Sequence, residues 1–332
     1  MPMLELVCPA GTPAALRAAV EAGAHAVYCG FADETNARNF PGLNFSRAEM
    51  AAGIAHAHAR GAKVLVAVNS FPVPGKETLW HAAVADAADA GADAVILADI
   101  GLLAWSAEHR PGLRLHLSVQ AAAANPDAIN FYAETFGVRR VVLPRVLSVA
   151  EIAAINREID AETEVFVFGG LCVMAEGRCA LSSWATGESP NLSGVCSPAE
   201  HVVYAEEADA LVLRLGGLTL HRSPKEAPQP YPTLCKGCFA TGRGEARREI
   251  HVFEDPMSLD AANLLPELAA AGITALKIEG RQRSRAYVSS VVSNFRKAVD
   301  ALAAGRPLPP SALASLCEGG GTTQGAYRKT WR

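Results

Sequence analysis

Residues 61–69 read GAKVLVAVN, and this short stretch contains the features that decide the fold. Its apolar run does not alternate with polar residues, which is typical of a parallel strand buried on both faces. Ala-rich segments of helical length flank the run, at about 46–60 and 76–90. The stretch therefore predicts one strand–helix unit of an α/β protein, with Gly61 ending the first helix.

The same unit recurs along the first half of the chain. Apolar runs of strand length occur at residues 4–8, 26–30, 63–69, 94–99, 114–120, 139–145 and 164–169. Helices are predicted between them, at about 12–23, 46–60, 76–90, 100–109, 126–136 and 148–159. An eighth strand, 273–280, and a helix at about 284–304 come late in the chain.

Eight such units predict a (β/α)8 TIM-like barrel. A doubly wound parallel sheet is the alternative, but no G-x-G-x-x-G follows the first strand, so a dinucleotide site is unsupported. We expect barrel strands 1 to 7 with their helices in residues 1–170 and a cysteine-rich, cluster-binding insertion in 171–258. The eighth strand and closing helix then occupy 259–305, and a C-terminal tail occupies 306–332.

Composition narrows the class of protein. The chain has 332 residues, of which 50% are hydrophobic, and a formal net charge of −4. A large core is therefore available, which excludes disorder as the dominant state. The acidic balance disfavours a protein held to nucleic acid by bulk positive charge. No signal peptide or membrane span is recognisable, and we expect a cytoplasmic protein with reduced cysteines.

Polar residues follow the predicted strands at their carboxyl ends, where this fold carries catalytic groups. They are Asn69, Asp99, His116, Ser118, Gln120, Arg145, Glu279 and Arg281. The candidate catalytic residues among them are Arg145, His116, Gln120, Glu279 and Arg281. We expect His116, Ser118 and Gln120 on one face of strand 5, where they can hydrogen-bond a ring hydroxyl or carbonyl. The alternative is a rim of hydrogen bonds and salt bridges that ties the loops down.

Five of the eight cysteines fall in a turn-rich region, namely Cys172, Cys179, Cys196, Cys235 and Cys238. Four converging thiolates suit either tetrahedral zinc or a 4Fe-4S cluster. The wide, uneven spacing resembles an iron–sulfur site more than two tight zinc knuckles, but it does not decide between them. The remaining three, Cys8, Cys29 and Cys317, are expected to be unligated packing residues.

The segments around the first two of these cysteines carry a family pattern. Residues 164–172, EVFVFGGLC, and 177–182, GRCALS, closely resemble the signature of the collagenase-like peptidase family. The departure is Gly170, where the signature usually has Ser or Ala. Six further segments are similar to the UbiU-type ubiquinone biosynthesis branch of that family, at residues 33–40, 143–148, 186–191, 231–237, 277–284 and 322–327.

The resemblance to this branch implies a 4Fe-4S cluster bound by Cys172, Cys179, Cys196 and Cys235. It implies oxygen-independent hydroxylation of ubiquinone precursors, with prephenate as oxygen donor. It also implies a heterodimer with a UbiV-like protein and a lipid-carrier accessory protein that presents the precursors. Cys238, three residues after Cys235, is predicted as a substitute ligand.

Prephenate is a dicarboxylate, and arginine binds carboxylates bidentately. The candidates for this contact are Arg38, Arg145, Arg281 and Arg283. We expect Arg145 and Arg281 to face the mouth of the barrel beside the cluster.

Three other functions stay open. Other members of the family hydroxylate RNA bases, but the acidic charge leads us to expect no nucleic acid partner. A peptidase is the least favoured, because neither G-x-S-x-G nor H-E-x-x-H occurs in the chain. A structural zinc protein without a redox role is a third, plainer interpretation.

Overall fold

In the computed structural model of the chain, strand–helix units follow one another as predicted. The structure describes residues 4–174, 176, 178–242, 244 and 247–328. Gly177 of the family signature and residues 1–3 and 329–332 at the chain ends lie outside the described residues. The first seven strands are β1 (Glu5–Pro9), β2 (Ala26–Gly30), β3 (Lys63–Val68), β4 (Ala94–Leu97), β5 (Leu115–Leu117), β6 (Val138–Val142) and β7 (Glu162–Gly170). The helices between them are α1 (Pro13–Glu21), α2 (Arg47–His58), α3 (Glu77–Asp89), α4 (Ile100–His109), α5 (Pro126–Phe136) and α6 (Val149–Asn156).

An eighth parallel strand closes the barrel. The elements after β7 are α7 (Ala180–Thr186), α8 (Pro190–Ser193), β8 (Val202–Glu206), β9 (Leu211–Leu215), β10 (Leu218–Ser223), β11 (Cys238–Thr241), β12 (Arg248–His251), β13 (Ser258–Asp260), α9 (Leu265–Ala270), β14 (Ala275–Ile278), α10 (Arg285–Ala303) and β15 (Thr322–Thr323). In β14, Leu276 lies opposite Leu6 of β1 and Val165 of β7, both in parallel register. The TIM-like α/β barrel is thereby confirmed, and the doubly wound alternative is wrong.

Local capping explains why the helices begin and end close to the predicted residues. The Thr12 hydroxyl accepts a hydrogen bond from the Ala15 N–H at 3.1 Å at the start of α1. Ser148 and Glu151 form a capping box at the start of α6. Gly137 ends α5 at φ 71°, a left-handed conformation that glycine adopts without penalty.

The main core lies between the barrel and its ring of helices, where outward-facing strand residues such as Leu6 and Leu97 pack with helix residues such as Phe295. The barrel interior is a separate, smaller apolar cluster. Its members are Val7, Ala26, Tyr28, Leu65, Ala67, Ala94, Ile96 and Ala275. Because several of these side chains are small, space remains above them at the carboxyl ends of the strands.

Ion pairs fill the amino-terminal end of the barrel. Arg140 is buried and lies 3.2 Å from Glu5, 2.7 Å from Glu162 and 3.3 Å from Glu164. Lys277, further along the barrel, pairs with Glu164 at 2.6 Å. The interior is thus a packed structure rather than a pore, as is usual for this fold.

Strand β5 is shorter than predicted and ends at Leu117. The Ser118 hydroxyl accepts a hydrogen bond from the Gln120 N–H at 3.3 Å, which starts a turn of 3-10 helix over Val119–Ala121. The expectation that His116, Ser118 and Gln120 share one strand face is therefore wrong. A serine side chain that bonds the backbone two residues ahead competes with the strand ladder.

The chain between β7 and β14 adds small antiparallel sheets to the barrel. Strands β8, β9 and β10 form one sheet, and β11 pairs with β12. Strand β13 runs antiparallel to the end of β7, and β15 pairs with β13, which brings the C-terminal segment against the barrel. In the described part of the chain, no helix combines the length and apolar character that crossing a bilayer requires.

Candidate functional site

A cavity of about 400 Å³ lies at the carboxyl ends of the barrel strands. Tyr28, Phe166 and Lys277 of the barrel line one side of it. The opposite side comes from the chain that follows β7 and contains Cys172, Cys179, Cys196 and Cys235. All four cysteines of the expected ligand set therefore face one enclosed space.

Each of these cysteines is held by a different local structure. Cys172 lies two residues beyond β7, and Cys179 directly precedes α7. Cys196 follows the left-handed turn that ends α8, where its carbonyl accepts a hydrogen bond from the Ser182 hydroxyl at 2.6 Å. Cys235 belongs to a single 3-10 turn, Leu234–Lys236. Long-range folding, rather than a local motif, brings the four together.

Burial makes three of these thiols, those of Cys172, Cys196 and Cys235, poor free thiolates. Burial raises the pKa of Cys196 to about 11, and the nearby Cys179 and Cys235 contribute to the rise. The pKa of Cys172 is also raised by burial, with a contribution from Cys196. Burial likewise raises the pKa of Cys235, although the Thr233 hydroxyl opposes it. Such thiols stay protonated unless a metal takes the place of the proton.

The four cysteine sulfurs line the same cavity but do not form a tight group. Among the described residues, only Glu188, Glu200 and His201 form a group of three candidate ligand atoms within 4.8 Å of one another. No three of the four cysteine sulfurs are therefore that close to each other.

The other cysteines lie elsewhere. Cys238 pairs with His251 across the β11–β12 hairpin and is not among the residues that line the cavity, so its predicted role as a substitute ligand gains no support from the geometry. Cys8 and Cys29 are fully buried in the apolar core, as expected, and Cys317 is half-buried near the C-terminal segment.

Arg145 is the centre of a buried ion-pair network in the cavity wall. It donates to both oxygens of Glu176, at 2.9 and 2.8 Å, to Glu279 at 2.8 Å and to the Gly170 carbonyl. Burial lowers the pKa of Arg145, but the two carboxylates outweigh it and the pKa lies well above its ordinary value. Since two carboxylates already neutralise this cation, the geometry favours a loop-tying salt bridge over contact with a ligand carboxylate. Glu279, another of the candidate catalytic residues, is one of these two carboxylates and belongs to the same salt bridge.

Arg281 also faces the cavity, but in a different electrostatic state. It is 8% exposed, and its guanidinium donates to the Asn36 side-chain oxygen at 2.8 Å. Among the described residues, no carboxylate lies within 4.0 Å of it. Burial, together with nearby Arg38, lowers the pKa of Arg281 to about 10, although Tyr28 opposes the shift.

Gln120 belongs to a chain of side-chain amides. The Asn69 amide donates to Gln120, and Gln120 in turn donates to the Asn191 oxygen at 3.2 Å. Asn69 also accepts a hydrogen bond from the Ala37 N–H at 3.2 Å. These bonds connect the end of β3, the turn after β5 and α8, so Gln120 both lines the cavity and ties loops together.

His116 lies inside the barrel and not at the cavity. Its Nε2 accepts from Arg114 at 3.0 Å, while its buried Nδ1 has no hydrogen-bond partner. Burial, together with Arg140 and Arg114, lowers the pKa of His116 well below its ordinary value. Because β5 points this side chain toward the ion pairs below the cavity, the expectation that His116 is catalytic gains no support from its position. Asp99 likewise lies outside the cavity lining and caps α4.

Several residues that line the cavity were not predicted as site residues from the sequence. Lys277 lies 3.8 Å from the centre of the Tyr28 ring, in a favourable cation–π contact. The clue in the sequence is that a lysine interrupts the apolar eighth strand. Buried Lys236, next to Cys235, pairs with Glu318 of the C-terminal segment, and burial lowers the pKa of Lys236 to about 8.

Comparison with known proteins identifies the family. The model of peptidase family U32 matches residues 11–317. The chain belongs to this family. A U32 relative from Haemophilus influenzae, tRNA hydroxylation protein P, is 33% identical over 94% of this chain and 71% of its own length. The protein of the same name from Escherichia coli is 34% identical over 98% of this chain and 74% of its length.

A third U32 relative is named for a different RNA. The 23S rRNA 5-hydroxycytidine synthase of Escherichia coli is 30% identical over 90% of this chain and 40% of its own length. The collagenase-like family resemblance is thereby confirmed. None of these three names mentions ubiquinone, so the finer resemblance to the ubiquinone branch stays a prediction.

Proposed function

We propose that this chain is the iron–sulfur component of an oxygen-independent hydroxylase that acts on a ring, with an RNA base as the first candidate substrate. The convergence of Cys172, Cys179, Cys196 and Cys235 on one cavity carries the proposal. The names of its relatives, which concern hydroxylation of tRNA and ribosomal RNA, support the choice of substrate.

The spacing of the sulfurs supports an iron–sulfur cluster over zinc. With Zn–S bonds near 2.3 Å, the sulfurs of a tetrahedral Cys₄ site stand about 3.8 Å apart. The sulfurs here are more widely spread, since no three lie within 4.8 Å. In a 4Fe-4S cluster each cysteine binds a different iron, which suits a wider set. When bound, such a cluster supplies electron transfer.

The residues of the chain shape the space beside the cysteines for a flat ring. Ile96, Val142 and Phe166 give it apolar walls, while Ser118 and Gln120 present hydrogen-bonding groups. A mainly apolar pocket with a few fixed polar groups is the usual form of a small-molecule or base site. Prephenate is the oxygen donor that we propose from the family resemblance.

A peptidase function finds no support in the cavity. A cysteine nucleophile needs a base within hydrogen-bond reach, most often a histidine. No histidine is among the described residues that line the cavity. The raised pKa of Cys172 and of Cys196 is also the opposite of what an activated thiol requires.

A second candidate substrate is the aromatic ring of a ubiquinone precursor. The net charge of −4 favours it, because proteins that bind RNA gain affinity from positive charge. This function would use a UbiV-like partner in a heterodimer and a lipid-carrier protein to present the precursor.

The cluster is tested on protein purified without air, by iron and sulfide content and by the absorbance near 400 nm. Variants C172A and C196A should lose iron and absorbance, whereas C238A, outside the cavity, should keep both. One zinc per chain in a colourless protein would contradict the proposal.

The substrate is tested in cells that lack the gene, by mass spectrometry of RNA nucleosides and of quinone intermediates. Loss of a hydroxylated nucleoside, restored by the wild-type gene and not by C172A, supports the RNA base. Accumulation of an unhydroxylated quinone precursor with unchanged RNA supports the second candidate instead.

A further inference from the structure

The walls of the cavity carry more positive than negative side chains. Its cations are Arg38, Arg145, Lys236, Lys277, Arg281 and Arg283, and its carboxylates are Glu176, Glu279 and Glu318. Arg145, Lys236 and Lys277 each pair with a carboxylate within 4.0 Å. Among the described residues, no such partner exists for Arg38, Arg281 or Arg283. Arg38 belongs to the segment 33–40, and Arg281 and Arg283 belong to the segment 277–284, which the cysteine chemistry leaves unexplained.

Arg281 is the most informative of the three because it is buried, whereas Arg38 is half-buried and Arg283 is exposed. An unpaired charge away from water is costly, and proteins normally neutralise it with a carboxylate. Here the nearest acceptor is the neutral side-chain oxygen of Asn36, at 2.8 Å. The Asn36 amide nitrogen donates to the Phe31 carbonyl at 3.0 Å, so its oxygen is the atom turned toward the arginine. The site orients the guanidinium without a carboxylate at ion-pair distance, and Glu279, which acts on its charge from farther away, is already paired with Arg145.

Two close approaches hold this arrangement in place. A Cβ on Gly11 would lie 1.8 Å from the Arg281 carbonyl oxygen, so the loop after β1 sits directly against the arginine's backbone. A Cβ on Gly30 would lie 2.5 Å from the Asn36 amide nitrogen. Only glycine fits at either position, and the placement of Arg281 is therefore built into the barrel.

Arg38 extends the positive charge toward the cysteines. Its backbone N–H donates to the same Asn36 oxygen at 3.1 Å, and its half-buried side chain lines the cavity. It lies near enough to Cys196 to lower the pKa of that thiol. By contrast, the groups that shift the pKa of Arg281 are Tyr28, Arg38, Cys29 and Glu279, none of them in the expected ligand set. Arg281 therefore belongs to the barrel side of the cavity.

We propose that Arg281 and Arg38, oriented by Asn36, bind the carboxylate of a small-molecule co-substrate. The inference rests on the proposed function and assigns the co-substrate contact to these residues instead of Arg145. A carboxylate matches the planar guanidinium fork. The cavity of about 400 Å³ has room for a whole small molecule, whereas the phosphate of a polymer backbone would have to enter it together with its chain.

The test is calorimetric titration of the anaerobically purified protein with prephenate, and separately with inorganic phosphate, with iron content measured on each sample. R281Q should weaken prephenate binding by about tenfold or more, because a charge-assisted bond is lost. N36D should also weaken prephenate binding, because the carboxylate introduced at position 36 would form an ion pair with Arg281 and neutralise its charge. R285Q, an exposed arginine outside the cavity, should bind within about twofold of wild type.

Unchanged prephenate affinity in both R281Q and N36D would overturn the proposal. So would a loss of iron in R281Q with prephenate affinity retained, because the arginine would then serve the cluster. Phosphate that binds as tightly as prephenate and displaces it would identify phosphate as the ligand. Prephenate binding that depends on Arg281 in a protein without iron would sustain this site while contradicting the proposed hydroxylase.

Discussion

At the residue scale, Arg145 illustrates what a buried cation with two partners does for stability. Replacing it in R145Q leaves Glu176 and Glu279 in the cavity wall without their common partner. Breaking a buried pair in this way costs about 3–5 kcal/mol of unfolding free energy. Urea denaturation of the anaerobic protein measures the loss. R139Q, which changes an exposed arginine on β6, the strand that precedes Arg145, should stay within about 0.5 kcal/mol of wild type. Equal stability of R145Q and R139Q would show that the network is dispensable.

His116 is expected to make stability depend on pH. Burial, with Arg140 and Arg114, holds the pKa of His116 well below 6.5, so the folded protein keeps it neutral. The unfolded chain binds a proton here below about pH 6.5, so stability that is present above this pH is lost as the pH falls. Between pH 6.5 and 5, wild type should therefore lose up to about 1.4 kcal/mol per pH unit more than H116Q.

The measurement is urea denaturation at several pH values in that range. H109Q serves as the control, since His109 lies on the exposed end of α4. A pH profile of H116Q that runs parallel to wild type would mean that folding does not lower the pKa of His116.

At the scale of elements, local signals predict the regular parts of the barrel well. Predicted helices 100–109 and 126–136 coincide with α4 and α5, since capping residues and glycines mark their ends. The same signals fail after Leu117, where a serine diverts the backbone. The cavity depends on contacts that no local pattern encodes. Lys236 and Glu318 are 82 residues apart, and Asn36 and Arg281 are 245 apart.

The contact between the loops after β1 and β14 is one such long-range feature, and it can be tested through Gly11. The methyl group in G11A would collide with the Arg281 carbonyl, forcing the two loops apart. Overpacking of this kind costs about 1–3 kcal/mol. We expect that loss in urea denaturation, together with weaker prephenate binding. G112A is the matched control, because no atom lies within 4 Å of its new methyl group; a G11A protein as stable as G112A would contradict the close approach.

At the scale of the whole molecule, the two halves of the cavity differ in what holds them together. The barrel side rests on a continuous core that reaches from β1 to α10. The cysteine side has only a small apolar cluster of its own, formed by Leu213, Leu215, Leu220 and Leu234. With so little buried apolar surface, ligation of the four cysteines is expected to contribute much of the order in this half.

Removal of the cluster should therefore loosen one half of the molecule and spare the other. After iron is chelated without air, the circular dichroism of the barrel should persist, because its core contains none of the four expected ligand cysteines. Limited proteolysis should then cut within residues 171–258 much faster than in the iron-loaded protein, with the fragments identified by mass spectrometry. C238A in its iron-loaded form should resist cleavage like wild type, since Cys238 lies outside the cavity. Cooperative unfolding of the entire chain on iron removal, or an unchanged cleavage rate, would show that the cysteines do not hold this half as proposed.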